Sequence, residues 1–166
     1  MILLRTCVSL LIAMLAGATT HPAQPEKPFV YGVFTGTTPC NSVIRPLHAI
    51  SPEAECSMVQ WKLVLYMDMQ TRKPSTYQLS SVNRFFVRET NMYSQPGVNT
   101  ESKGKWSKMK LTGLSLADSA VRLETGNPAK PVLLLPLGDK LLHVLDEDGK
   151  LMIGNPFFNY TLTRLE

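Results

Sequence analysis

Val59-Gln60-Trp61-Lys62-Leu63-Val64-Leu65-Tyr66-Met67 alternates between two characters. Val59, Trp61, Leu63, Leu65 and Met67 fall on one face of an extended chain, and Gln60, Lys62, Tyr66 and Asp68 fall on the other, with Val64 the exception. Successive side chains of a strand point to opposite faces, so the pattern predicts an antiparallel strand with one wall in a core and one in water. Downstream, residues 70–74 read as a turn, 76–80 as the next strand, and 83–89 as another with Phe85 and Val87 facing together. Residues 93–103 are polar and carry Pro96-Gly97, which predicts an exposed loop. Residues 104–111, with Trp106, resume the strands, and 121–124 form a short one. Strand 132–136 is expected to meet 141–145 across Gly138-Asp139, and 141–145 to meet 151–153 across Glu147-Asp148-Gly149. A last strand, 158–164, aligns Phe158, Tyr160 and Leu162.

Upstream, strand 29–34 is expected to break at Gly36-Thr37-Thr38-Pro39-Cys40, and 41–56 to form a loop with one helical turn. Many short strands at close spacing predict an all-β fold, either an antiparallel sandwich or a closed up-and-down barrel of about eight strands. A chain of 166 residues suits one domain, and 44% hydrophobic with 18% charged residues fits a packed globule. The excess of 17 basic over 13 acidic residues is mild and unclustered, so composition offers no electrostatic basis for nucleic-acid binding.

Residues 1–18 read as a secretory signal peptide: Arg5, the apolar run from Cys7 to Ala16, then the small-residue cleavage site Ala16-Gly17-Ala18. That run is too short to span a bilayer as a helix. Leu15-Ala16-Gly17 is followed by Ala18 where a lipoprotein would carry its lipidated cysteine, so the mature chain is expected to have neither a lipid anchor nor a transmembrane helix. Residues 19–28 read as a flexible tether and 29–166 as the domain, in a periplasmic or secreted protein. With Cys7 removed, Cys40 and Cys56 form an even pair in an oxidising compartment, and a disulfide is expected. It would close a loop at a gain of about 3 kcal/mol in the chain-entropy model.

Catalytic signatures do not emerge. The chain has no nucleophile elbow, no HExxH and no phosphate-cradling glycine loop, so no enzyme is expected. Asp146-Glu147-Asp148-Gly149 lacks the ligand spacing of a calcium loop and reads as an acidic hairpin turn. Asn159-Tyr160-Thr161 matches a glycosylation sequon by chance. Soft thioethers and imidazoles suit copper, so Met67 with Met69, and His48 near the cysteines, are the candidate ligands of a minor copper reading. Core filling explains Met67 without a metal. His143, between Leu142 and Val144, reads as a packed or hydrogen-bonded ring, and His21 lies in the tether. Tyr66, Tyr77 and Tyr93 are candidates either for a pocket wall or for the core.

Tyr31-Gly32-x-Phe34-x-Gly36-Thr37-x-Pro39-Cys40 resembles the opening of the NlpE N-terminal domain, found in envelope lipoproteins linked to copper resistance and surface sensing. Trp61-x-Leu63-x-Leu65-Tyr66, Thr76-Tyr77-x-Leu79, Gly104-x-Trp106, Leu142-x-x-Leu145-Asp146-x-x-Gly149 and Tyr160-x-Leu162 follow in the family's order. The resemblance implies a small lipocalin-like barrel acting as a binding or envelope-stress module, with an envelope protein or a small ligand as partner. A carrier of a small apolar ligand and a copper-handling protein are the alternatives. The chain departs from the family in three ways: no tight Cys-x-x-Cys, no lipidation cysteine, and an end at Glu166 just past the last strand.

Overall fold

The structure, a computed structural model, describes residues 28–111, 119–125 and 131–166. The expected signal peptide and residues 19–27 of the tether lie outside them. Eight strands close into an antiparallel barrel: β1 (Phe29–Pro39), β2 (Met58–Met67), β3 (Pro74–Arg84), β6 (Val98–Met109), β7 (Ala120–Leu123), β8 (Val132–Leu137), β9 (Leu141–Val144) and β10 (Thr161–Arg164). Two further strands, β4 (Phe86–Val87) and β5 (Met92–Tyr93), form a separate hairpin between β3 and β6. Each barrel strand pairs with its neighbour in the chain, and β10 returns to β1 to complete the ring. The expected barrel is therefore present, and the sandwich alternative is not.

The alternation of β2 points its apolar wall into the lumen. Val59, Trp61, Leu63 and Leu65 are buried, while Gln60 and Lys62 are exposed. Tyr77 and Leu79 of β3, Trp106 of β6, Leu123 of β7, Leu134 of β8, Leu142 of β9 and Leu162 of β10 join the same cluster. An eight-stranded barrel is just wide enough for such side chains to fill. The apolar side faces inward, the inverse of a lipid-facing barrel. Among the described residues no helix is long and apolar enough to cross a membrane.

One end of the barrel is plugged. The connection from β1 to β2 carries α1 (Ile44–Leu47), whose Ile44 and Leu47 enter the core. Asn41 organises the turn: its Oδ1 accepts the backbone N–H groups of Val43 and Ile44 at 3.1 and 3.0 Å, and its amide donates to the Tyr160 hydroxyl at 2.9 Å. Arg45 Nη1 donates to the carbonyls of Ser51 and Ala54 at 2.8 and 2.9 Å. The Cys40–Cys56 disulfide closes the base of the loop, with the two Cα atoms 5.8 Å apart. A bridge of this kind belongs to an oxidising, non-cytoplasmic compartment.

Several strand boundaries differ from the sequence expectation. Gly36 does not break β1, which runs on to Pro39. It lies against β10 instead, where an added Cβ would sit 2.7 Å from Leu162 Cδ2 and 2.9 Å from the Thr161 carbonyl oxygen. Residues 98–103, expected in a loop, are the first half of β6 and pair with β3 throughout. Residues 83–89 divide between the end of β3 and β4 because the chain leaves the barrel after Arg84. The strand expected at 151–153 reduces to one bridge, Leu145 to Leu151, and Ile153 is 92% exposed. β10 begins at Thr161, and Phe158 packs on Tyr93 of the hairpin at 6.0 Å rather than in the sheet.

Gly36→Ala is expected to destabilise the barrel by about 1–3 kcal/mol, because the new methyl meets backbone as well as side chain. A lowered urea midpoint with an unchanged m-value would show this. Reduction with dithiothreitol should loosen residues 40–57 while the far-UV circular dichroism of the sheet persists. Loss of the whole sheet signal would contradict a bridge that only pins the plug.

Candidate functional site

The residues singled out in the sequence mostly resolve into structural roles. Cys40 and Cys56 are bonded to each other, so neither sulfur is a free thiolate for copper. Met67 ends β2 packed against the core, whereas Met69 lies in the following turn. His143 is held on both sides: Nε2 lies 3.0 Å from the Met152 carbonyl and Nδ1 2.9 Å from Thr161 Oγ1. A carbonyl can only accept, so Nε2 donates to Met152, while the Thr161 hydroxyl meets Nδ1. The acidic turn is closed by Asp146 Oδ1, which accepts the N–H groups of Asp148 and Lys150 at 2.9 and 2.8 Å. Tyr77 is buried and donates to the Glu124 carbonyl at 3.0 Å, and Tyr93 stacks edge-on with Phe86 at 5.6 Å. His21 lies outside the described residues.

His48 is different. It follows α1, is 1% exposed, and meets Trp61 edge-on at 4.5 Å. Neither ring nitrogen has a hydrogen-bond partner. Burial without a partner penalises the cation and lowers its pKa to about 3. The ring therefore serves as a neutral part of the plug, while the neighbouring Trp61 indole donates to Thr38 Oγ1 at 2.9 Å.

The opposite end of the barrel is built from a different set of residues. The β1–β2 register passes from Val30 opposite Tyr66 to Gly32 opposite Leu65, leaving Tyr31 as the extra residue of a bulge. A bulge re-aims the side chain it carries. The Tyr31 ring lies 5.3 Å from Trp106, on a strand that is not its neighbour in the sheet. β2 has a second irregularity between Leu65 and Met67, and the Tyr66 carbonyl there accepts the Trp106 indole N–H at 2.6 Å. The half-buried Tyr31 ring, backed by the buried Trp106, forms an aromatic floor at this end of the barrel.

Beside this floor is a cavity of about 180 Å³. Phe34, Val121, Leu141 and Leu142 provide apolar wall, and Tyr31, Lys108, Ser119 and Asp139 provide the polar part. Lys108 Nζ stands 5.7 Å from the Tyr31 ring centroid, and Arg164 Cζ stands 5.6 Å from the same centroid. Arg164 is anchored by Nη2 to the Tyr31 carbonyl and by Nη1 to the Asp139 carbonyl at 3.4 Å. Lys108 is exposed and has no ion pair among the described residues. Arg72, Lys73, Lys110 and Lys140 stand on the same rim, against the acidic side chains of Asp68, Asp139 and Glu166. Thr71 donates from its backbone N–H and its hydroxyl to Asp68, which lowers that carboxyl's pKa.

None of the three residues that define this mouth, Tyr31, Lys108 and Arg164, was singled out as a site residue in the sequence. One clue was present: Lys108 lies two residues beyond Trp106 and so shares its inward phase. Compared with protein-family models, curated proteins and solved structures, the chain matches none.

The His48 pKa is lowered on folding, so its neutral form contributes stability that is complete above the unfolded value near 6.5 and is lost as pH falls toward about 3. Unfolding measured near pH 4.5 should show a loss of about 2–3 kcal/mol from this group relative to pH 7. His48→Leu removes the titrating ring and its unpaired nitrogens, and should flatten that part of the pH profile. An unaltered profile in the variant would refute the assignment.

Proposed function

We propose that this chain is an exported, non-enzymatic binding module, periplasmic or secreted, that takes a small ligand at the open mouth of its barrel. The observation that carries this reading is the cavity lined by Tyr31, where an apolar wall, the Tyr31 and Phe34 rings and the Lys108 cation converge, with Arg164 also beside the Tyr31 ring. Pockets with an apolar lining and a few convergent polar groups are where small ligands bind. Among the described residues, α1 and the disulfide close one end of the barrel, and the cavity lies at the other.

The carrier alternative requires an apolar ligand deep in the lumen. Trp61, Leu63 and Leu162 are buried together there, which favours a shallow rim site over a deep calyx. The order of motifs shared with the NlpE N-terminal domain supports placing the module in a cell envelope. The two cysteines are joined to each other, which weakens the copper alternative.

Titration of the purified chain with a mixture of small aromatic and aliphatic fragments, followed by two-dimensional NMR, tests the proposal. Shifts should cluster at Tyr31, Phe34, Lys108 and Leu142 and spare residues 40–57. Absence of binding, or shifts confined to the plugged end, would refute it.

A further inference from the structure

We infer that the open mouth selects small flat organic anions, with arene carboxylates as the fitting class. This rests on the reading of the mouth as a ligand site and adds the chemistry of the occupant.

Size comes first. The cavity holds about 180 Å³, and a dry apolar cavity of about 150 Å³ accommodates benzene. One substituted ring therefore fits, whereas a long acyl chain does not. Shape comes next. Tyr31 and Phe34 line the cavity, and the buried Trp106 backs Tyr31 at a centroid distance of 5.3 Å and a tilt of 37°, so the aromatic surface offered is that of Tyr31 and Phe34. Aromatic rings pair favourably at such separations, so a flat ring has a partner here.

Charge decides the remaining feature. Lys108 lines the cavity, Arg164 stands outside that lining but within 6 Å of the Tyr31 ring centroid, and among the described residues Asp139 is the one carboxylate residue of the lining. Arg164 is fixed by its two carbonyl contacts, whereas Lys108 makes only a cation–π contact in an exposed setting. Such a contact is weaker than a charge-assisted hydrogen bond to a carboxylate. An incoming carboxylate would draw the Lys108 ammonium from the ring face and free that face for the ligand's own ring. A cationic ligand would meet the like charge of Lys108.

The test compares benzoate, its neutral isostere benzamide and the cation benzylammonium by NMR titration of the purified chain. Benzoate should bind at the mouth about tenfold more tightly than benzamide, and benzylammonium should not bind there. The benzoate advantage should shrink as salt is raised. Lys108→Gln, at an exposed position, should cut it to about twofold. Lys62→Gln, on the outer wall of β2, should leave benzoate binding intact. If benzamide or benzylammonium shifts the mouth as strongly as benzoate, the anion inference falls and the ligand site stands. If none of the three perturbs the mouth at millimolar concentration, both fall.

Discussion

The seam between β1 and β10 holds the cylinder shut. It is short, pairing Phe34 with Arg164 and Thr35 with Thr163. The Leu165 N–H donates to the Val33 carbonyl at 2.8 Å, and the Arg164 N–H donates to the Lys140 carbonyl at 2.7 Å. Without this closure the sheet would expose two edges of unpaired backbone groups. Gly36 makes the close approach possible by offering no Cβ to Leu162. The Arg164 backbone closes the ring, and its side chain continues to the Tyr31 carbonyl and places a cation against the Tyr31 ring. Fold closure and the charge of the mouth therefore depend on the same residue.

Closing a barrel of this width fills its centre with side chains, which moves any binding to the ends. The ends are treated unequally. At one, a covalent bridge, the Asn41 contacts and the Arg45 contacts hold α1 in place, and the buried His48 ring completes the plug. At the other, two strand irregularities turn Tyr31 inward and free the Tyr66 carbonyl for Trp106. The first end is held by constraints that restrict motion. The second offers an aromatic surface with an exposed cation, Lys108, beside it.

The regular strands were legible because burial on one side leaves a period of two. β2 shows this most fully, and the β8–β9 hairpin across Gly138-Asp139 pairs as its turn residues imply, with Gly138 at a φ of 66°. The first half of β6 escaped detection for the converse reason. Its outward positions Asn99, Glu101 and Lys103 are polar, and its inward positions Thr100 and Ser102 are polar as well. Ser81 hydrogen-bonds to Thr100 at 2.6 Å, and Ser102 donates to the Leu47 carbonyl at 3.3 Å, so this wall of the lumen is satisfied by hydrogen bonds, and its polar residues read as an exposed loop. Phe158 misled in the other direction, since its apolar character serves a contact with the hairpin outside the barrel.

The sequence by itself determined the all-β class of the fold and the pairing of Cys40 with Cys56. These follow from side-chain alternation, turn residues and the presence of two of the three cysteines in the strand-rich region, which are local properties. Tertiary structure decided the site. Tyr31 turns into the mouth because β1 carries one residue more than β2 can pair. Trp106 reaches it from across the barrel, and Arg164 reaches it across the seam from the far end of the chain. Each contact joins residues distant in sequence, and ring closure is the event that brings them together.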